Sequence, residues 1–405
     1  MLIIELRRRN LFYSQNINFN FYYRWIMTPS KGYIPSLDGL RTVAFTIVFL
    51  SHAGLDKIVP GGFGVTIFFF LSGYLITTLL RKEYDRYLTI NLKNFYSRRI
   101  IRIFPPFYLV LMVGTILTIT GVLKGTIGLS AFLAQSLHYT NYYQMFHGIG
   151  EITIGSAVYW SLAIEEHFYL LFPLLYLTLR RLRVSPLRQM LVFLGLCLAV
   201  LVWRCVLFYG FRVFPERIDY ATDTCVDSIL IGCVLAVYNN PMLDPQFGSN
   251  RLWKYFLVPA GITLILFSVL YRTDAFRETF RYTIQGIALY PIFYTAIRFP
   301  DWGLFQYLNL PWMRFIGITT YSLYLVHFTV IGAVRMYLPE FNGVIQSAIS
   351  LLISFGLAYA IYQFVELPCK QLRQHFSPPI IDTSANENSD LVNAQASSKQ
   401  NKNIY

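Results

Sequence analysis

Apolar runs of about twenty residues recur along the whole chain, separated by short segments that hold most of its charge. Ten windows stand out: 37–57, 61–81, 104–124, 157–179, 189–209, 223–239, 253–271, 280–299, 313–334 and 344–366. Stretches such as LVFLGLCLAVLVW and LLISFGLAYAIYQF contain no charged residue. A helix rises about 1.5 Å per residue, so about 20 residues cross a hydrocarbon core of about 30 Å. Lipid offers no water to peptide groups, and a helix satisfies them internally. The pattern predicts an all-α integral membrane protein, a bundle of about ten transmembrane helices. The fourth and sixth windows are the least typical, because each contains acidic residues.

Composition agrees: 55% of the 405 residues are hydrophobic and only 14% charged, too apolar for a soluble enzyme of this size. The net charge of +13 suggests a nucleic-acid partner until its placement is considered. With an even number of spans, both termini share a side with the loops carrying Arg81, Lys82, Arg86, Lys93, Arg98, Arg99 and Arg102, then Arg180, Arg181, Arg183 and Arg188, then Arg251 and Lys254. The opposite loops are poorer in Lys and Arg. The positive-inside rule therefore places both termini in the cytoplasm. The expected partner is the lipid bilayer, with no nucleic acid; the oligomeric state is not legible. Five cysteines, odd in number and without CxxC spacing, suggest neither a disulfide framework nor a metal site. No signal peptide is evident. The chain divides into an N-terminal cytoplasmic segment (1–34), a membrane domain (35–370) and a polar tail (371–405) expected to be disordered. Residues 1–26 read either as an over-extended start ahead of Met27 or as an interfacial anchor.

Polar groups inside the spans carry the chemistry. The first span, SLDGLRTVAFTIVFLSHAG, holds Asp38, Arg41 and His52. Eleven residues of helix turn about 1100°, close to a whole number of turns, so Arg41 and His52 share a face about 16 Å apart. Asp38 lies one turn before Arg41 and can pair with it. Separately, Arg41 reads as a snorkelling anchor and His52 as an interhelical hydrogen bonder; together on one face they favour function. In the second span Ser72 and Gly73 permit close helix approach. Arg98, Arg99 and Arg102 crowd the mouth of the third, where guanidiniums suit a polyphosphate. The run beginning at Trp160 contains Glu165 and Glu166. Adjacent positions point about 100° apart, so both cannot face lipid. Later spans add Asp223, Asp227, Tyr324, His327 and Glu366; for Asp223, His327 and Glu366 a structural role explains the residue equally well.

At these residues the sequence resembles the acyltransferase-3 family of integral membrane O-acyltransferases. The resemblance runs from about residue 34 to 370 and rests on Arg41-x10-His52, FFFLSGYLIT, FYSRRIIRIFPP, YWSLAIEEHFYLLFP, DSILIGCVLA, YSLYLVHF and FVELP. It implies an acyl-CoA donor, acetyl-CoA by family frequency, used from the cytoplasmic side. It also implies a carbohydrate acceptor outside: O-antigen, exopolysaccharide, peptidoglycan or a related glycan. It assigns His52 as the essential histidine, Arg41 as its partner, Arg99 and Arg102 as the pair near the donor, and Glu165 as the motif carboxylate. Relatives often carry arginine where this chain has Cys225, so a role for that arginine is in doubt here. Relatives that append a hydrolase-like domain differ from this chain, which reads as the stand-alone type in a bacterial inner (plasma) membrane.

The expected division of labour follows. Catalysis falls to His52 as general base with Arg41, Asp38, Glu165 and Glu166; donor binding to Arg98, Arg99, Arg102 and Ser72; substrate contacts to Trp160, Tyr324 and His327. A passage joining Arg41 to His52 would carry the thioester across the membrane. The rival reading is a multi-pass transporter or flippase, although no internal repeat is found. A lipid-linked glycosyltransferase lacks its large first outer loop here, and a palmitoyltransferase lacks its Asp-His-His-Cys run.

Overall fold

A computed structural model of the protein describes residues 33–376. The expected N-terminal segment up to residue 32 and the expected polar tail beyond 376 lie outside the described residues. Thirteen helices organise the fold, with shorter helical turns between them: α1 Pro35–Leu50, α2 Gly61–Tyr87, α3 Leu92–Ile119, α4 Leu129–Ser136, α5 Thr140–His147, α6 Tyr159–Arg181, α7 Pro186–Cys205, α8 Thr222–Val237, α9 Val258–Leu270, α10 Arg281–Arg298, α11 Pro311–Tyr337, α12 Gly343–Ile361 and α13 Leu367–Gln374. No strand occurs among the described residues. The protein is an all-α integral membrane bundle.

Among the described residues, eight helical segments are long and apolar enough to cross a membrane. The two remaining predicted windows are helical but fall outside that set. α1 has only 16 residues before Ser51–Leu55 continues it as a π-turn. α10 is 18 residues long and carries arginine at both ends. Helix α13 continues past the expected domain limit of 370 to Gln374.

The most enclosed helices are α2 and α8, which pack on each other. Glycine makes that contact possible. A Cβ on Gly73 would strike the carbonyl of Ile229, and one on Gly232 would strike the carbonyl of Phe70. Small residues let membrane helices approach to backbone contact. α1 is gripped in the same way from both flanks, with Gly64 of α2 against the Ala44 carbonyl and Gly317 of α11 against the backbone of Asp38. Helices α7, α9 and α12 lie at the periphery and turn residues such as Leu198, Leu266 and Leu352 outward. That outward face is apolar because it meets lipid, not water.

One buried ion pair ties α7 to α8. The Arg204 and Asp227 side chains are fully buried, with Nη2 2.6 Å from Oδ2. Arg204 also donates to the Thr224 carbonyl at 2.9 Å, and Thr283 of α10 donates to Asp227 at 2.6 Å. Breaking such a pair leaves one charge uncompensated, whereas removing both is often near neutral. Arg204→Met should therefore lower stability by about 3–5 kcal/mol, and Arg204→Met with Asp227→Leu by much less. Thermal unfolding in detergent checks this; equal losses in the single and double variants would contradict it.

Candidate functional site

A cavity of about 740 Å³ runs inward from the end of the bundle where α1 begins. Arg102 of α3 and Lys370 and Arg373 of α13 stand at its mouth. Arg41 and Asp38 of α1 and Arg314 of α11 follow, and Glu165 of α6 lies among them. Along α11 the lining extends to Tyr324, ten residues past Arg314, or about 15 Å of helix. The inner walls are Val65, Phe68 and Phe69 of α2 and Ser161 of α6. The cavity is thus cationic at the mouth and aromatic at depth.

Its charged groups are held by local geometry. Asp38 pairs with Arg41 one turn on and accepts a 2.5 Å hydrogen bond from the Tyr33 hydroxyl. Arg314 donates to that hydroxyl at 3.3 Å. Glu366 accepts from Ser322. Glu165 accepts from the Tyr169 hydroxyl at 2.8 Å, which is in turn bonded to Ser72. The Arg99 guanidinium lies 4.8 Å from the centre of the Tyr169 ring. These are the polar partners that charges away from bulk water require.

The two imidazoles lie deeper. His52 is the second residue of the π-turn Ser51–Leu55 that ends α1, where Gly54 adopts φ 112°, a value glycine tolerates and other residues rarely do. Single π-turns of this kind often mark functional sites. Arg335 of α11 donates to the His52 carbonyl at 2.8 Å and holds the turn. His52 Nδ1 lies 3.0 Å from His327 Nε2. His327 Nδ1 lies 2.8 Å from the Tyr324 carbonyl, which can only accept. In neutral rings that contact fixes the proton of His327 on Nδ1 and leaves its Nε2 as acceptor. His52 must then carry its proton on Nδ1, and its own Nε2 keeps the lone pair. A carbonyl, a buried imidazole and a second imidazole form an orienting chain of the kind that positions a general base.

Neither histidine lines the cavity. Tyr324 precedes His327 by one turn, bonds Ser161 at 2.6 Å and sets its ring against Phe68 at 6.0 Å. The cavity lined by Arg41 reaches Tyr324 on α11 and Phe68 and Val65 on α2. The passage expected between Arg41 and His52 therefore stops short of His52, with the Tyr324 and Phe68 rings near its inner end.

The remaining predicted residues divide. Arg102 faces the cavity, but Arg98 turns away to Glu83 at 3.0 Å and to the Phe376 carbonyl at 2.7 Å. Arg99 and Ser72 reach the cavity only through Tyr169 and Glu165. Glu166 does not line it. Trp160 lies against Tyr220, with ring centres 5.0 Å apart, toward the His52 end. Sequence reasoning missed Tyr33, Arg314, Lys370 and Arg373 at the cavity, and the direct pairing of His52 with His327. It also missed Arg204, although an arginine inside an apolar span was signal enough.

Known proteins place this architecture. A family model described as an acyltransferase domain matches residues 34–363. The chain is 30% identical over 357 residues to a peptidoglycan O-acetyltransferase, OatA, of Listeria monocytogenes, covering 84% of this chain and 56% of that protein. It is 29% identical over 355 residues to an O-acetyltransferase, OatA, of Staphylococcus aureus, covering 84% of this chain and 58% of that one. The chain thus spans somewhat more than half the length of these relatives. No solved structure matches it. With the family match running from the start of α1 through the end of α12, the chain belongs to the acyltransferase-3 family of integral membrane proteins.

Proposed function

We propose that the protein is an O-acetyltransferase that takes acetyl-CoA from the cytoplasmic side and esterifies a hydroxyl of a cell-envelope glycan outside a bacterial plasma membrane. The observation that carries this reading is the alignment of a cationic cavity with an oriented imidazole one helical turn beyond its inner end. The Arg-rich loops favour the Arg41 end as cytoplasmic. The relatives' names favour peptidoglycan as the acceptor over O-antigen or exopolysaccharide.

Coenzyme A carries phosphates at one end and a long neutral arm at the other. Arg102, Lys370 and Arg373 suit the phosphates, since charge-assisted contacts to phosphate are strong and poorly solvated sites strengthen them. The apolar inner wall suits the arm. The thioester then comes to Tyr324, whose side chain must leave Ser161 to admit it toward His52. His52 Nε2 removes the proton from the acceptor hydroxyl as its oxygen attacks the thioester carbonyl. The carbon–sulfur bond breaks, an ester forms, and the proton passes from His52 to the departing thiolate. Asp38 keeps Arg41 oriented along the donor path.

Proteoliposomes loaded with acetyl-CoA labelled in the acetyl group, with peptidoglycan fragments added outside, test the reading. The expected result is label in the fragments, released by mild base as an ester is. Label that stays inside as coenzyme A thioester, or that crosses unattached to glycan, would overturn it and favour transport.

A further inference from the structure

A second cavity, of about 350 Å³, lies at the His52 end between the α1–α2 turn, the end of α9 and the start of α10. It takes no part in the transfer proposed above. Arg272, Arg277 and Arg281 border it, against the single carboxylate of Asp56. Arg272 is tethered by donating to the Lys57 carbonyl at 2.8 Å. Arg281 is tethered by Asp219 at 3.4 Å and the Tyr282 hydroxyl at 2.7 Å. The Arg277 side chain makes no hydrogen bond or ion pair among the described residues, and it is exposed. Two guanidiniums are thus fixed and a third can turn onto a ligand. Nearby Glu278 is buried, and burial followed by the charge of Asp219 raises its carboxyl above the ordinary carboxylate range, against the pull of Arg281 and Arg277. The cavity's glycine wall abuts the catalytic turn: a Cβ on Gly61 would lie 2.8 Å from Ser51 Cβ, one residue before His52.

We infer that this pocket binds a carboxylate carried by the acceptor glycan, in peptidoglycan one on the peptide stem because the lactyl carboxyl of the sugar is amide-bonded there, and so holds the glycan beside the turn that carries His52; the inference rests on the acyl-transfer reading above. Guanidinium forks match carboxylates in a bidentate geometry. Asp56 opposes a doubly charged phosphate more than a singly charged carboxylate. The volume falls near the lower end of the roughly 300–1,000 Å³ of ligand pockets.

The test uses the full chain in nanodiscs of neutral lipid, titrated with two muramyl sugars: muramyl dipeptide, an acid that keeps one free peptide carboxylate, and its amide, which shares the sugar and peptide but lacks that charge. The acid should bind at least about tenfold more tightly. Arg277→Gln should remove most of that preference, and Arg277→Lys should restore part of it. Equal binding of the two sugars by protein that still transfers acetyl groups would overturn the pocket and leave the acyl-transfer reading intact. A preference that Arg277→Gln abolishes, in protein that transfers nothing, would support an anion pocket and sink the transfer reading. Tighter binding of inorganic phosphate than of the acid would overturn the carboxylate assignment.

Discussion

Replacement of His52 by alanine is expected to lower acetyl transfer by about 10²–10⁴-fold, the usual contribution of a positioned general base. The Michaelis constant for acetyl-CoA should hardly change, because His52 does not line the donor cavity. The neighbouring variant is as informative. His327→Ala removes the acceptor that fixes His52 with its proton on Nδ1. It should lower turnover by less than His52→Ala, again without weakening the donor, and should alter the pH profile as the orienting chain is lost. His327→Gln, which retains an acceptor oxygen, should recover part of the rate. Turnover by His52→Ala above about one tenth of the normal rate would remove it as the base.

The second large effect is on donor affinity. Arg102→Ala and Arg373→Ala each remove one cation from the cavity mouth. A hydrogen bond to a charged partner is worth about 1.5–3 kcal/mol, so each substitution should weaken acetyl-CoA binding by about tenfold or more. The two together should act most strongly, although not additively, because they serve the same cluster. Calorimetry on the detergent-solubilised protein reads this directly. Dephospho-CoA, which lacks the ribose phosphate, should be affected less. Unchanged affinity for acetyl-CoA in the double variant would place the phosphates elsewhere.

The helices were legible because lipid imposes a simple rule: each apolar window of about twenty residues became a helix. What the windows could not reveal was how each helix ends. The about 100° step that placed Arg41 and His52 on one face assumes a regular α-helix, and the π-turn at Ser51–Leu55 begins one residue before His52. Arg41, Arg102, Glu165 and Tyr324 were legible as candidates because polar groups in or beside spans are costly without a purpose, and the candidate cavity is lined by all four. Arg373 and Lys370 were not. They sit on a short terminal helix about 270 residues along the chain from Arg102, where basic residues look like ordinary interfacial anchors. His327 was singled out, but its contact with His52 joins positions 275 residues apart, and no periodicity reports that. That the cavity stops short of His52 is a matter of side-chain packing, which pattern does not encode.

The two-sided glycine grip on α1 has a kinetic meaning. A rod touched at backbone distance by two neighbouring helices has little room to rock or slide, because packed backbone yields only in discrete steps. On the acyl-transfer reading, turnover in such a scaffold would draw on rotation of a few rings instead of a swing of half the molecule. On the proposed reading the traveller is the flexible arm of the donor, and the barrier is crossed by a reagent moving within a stationary frame.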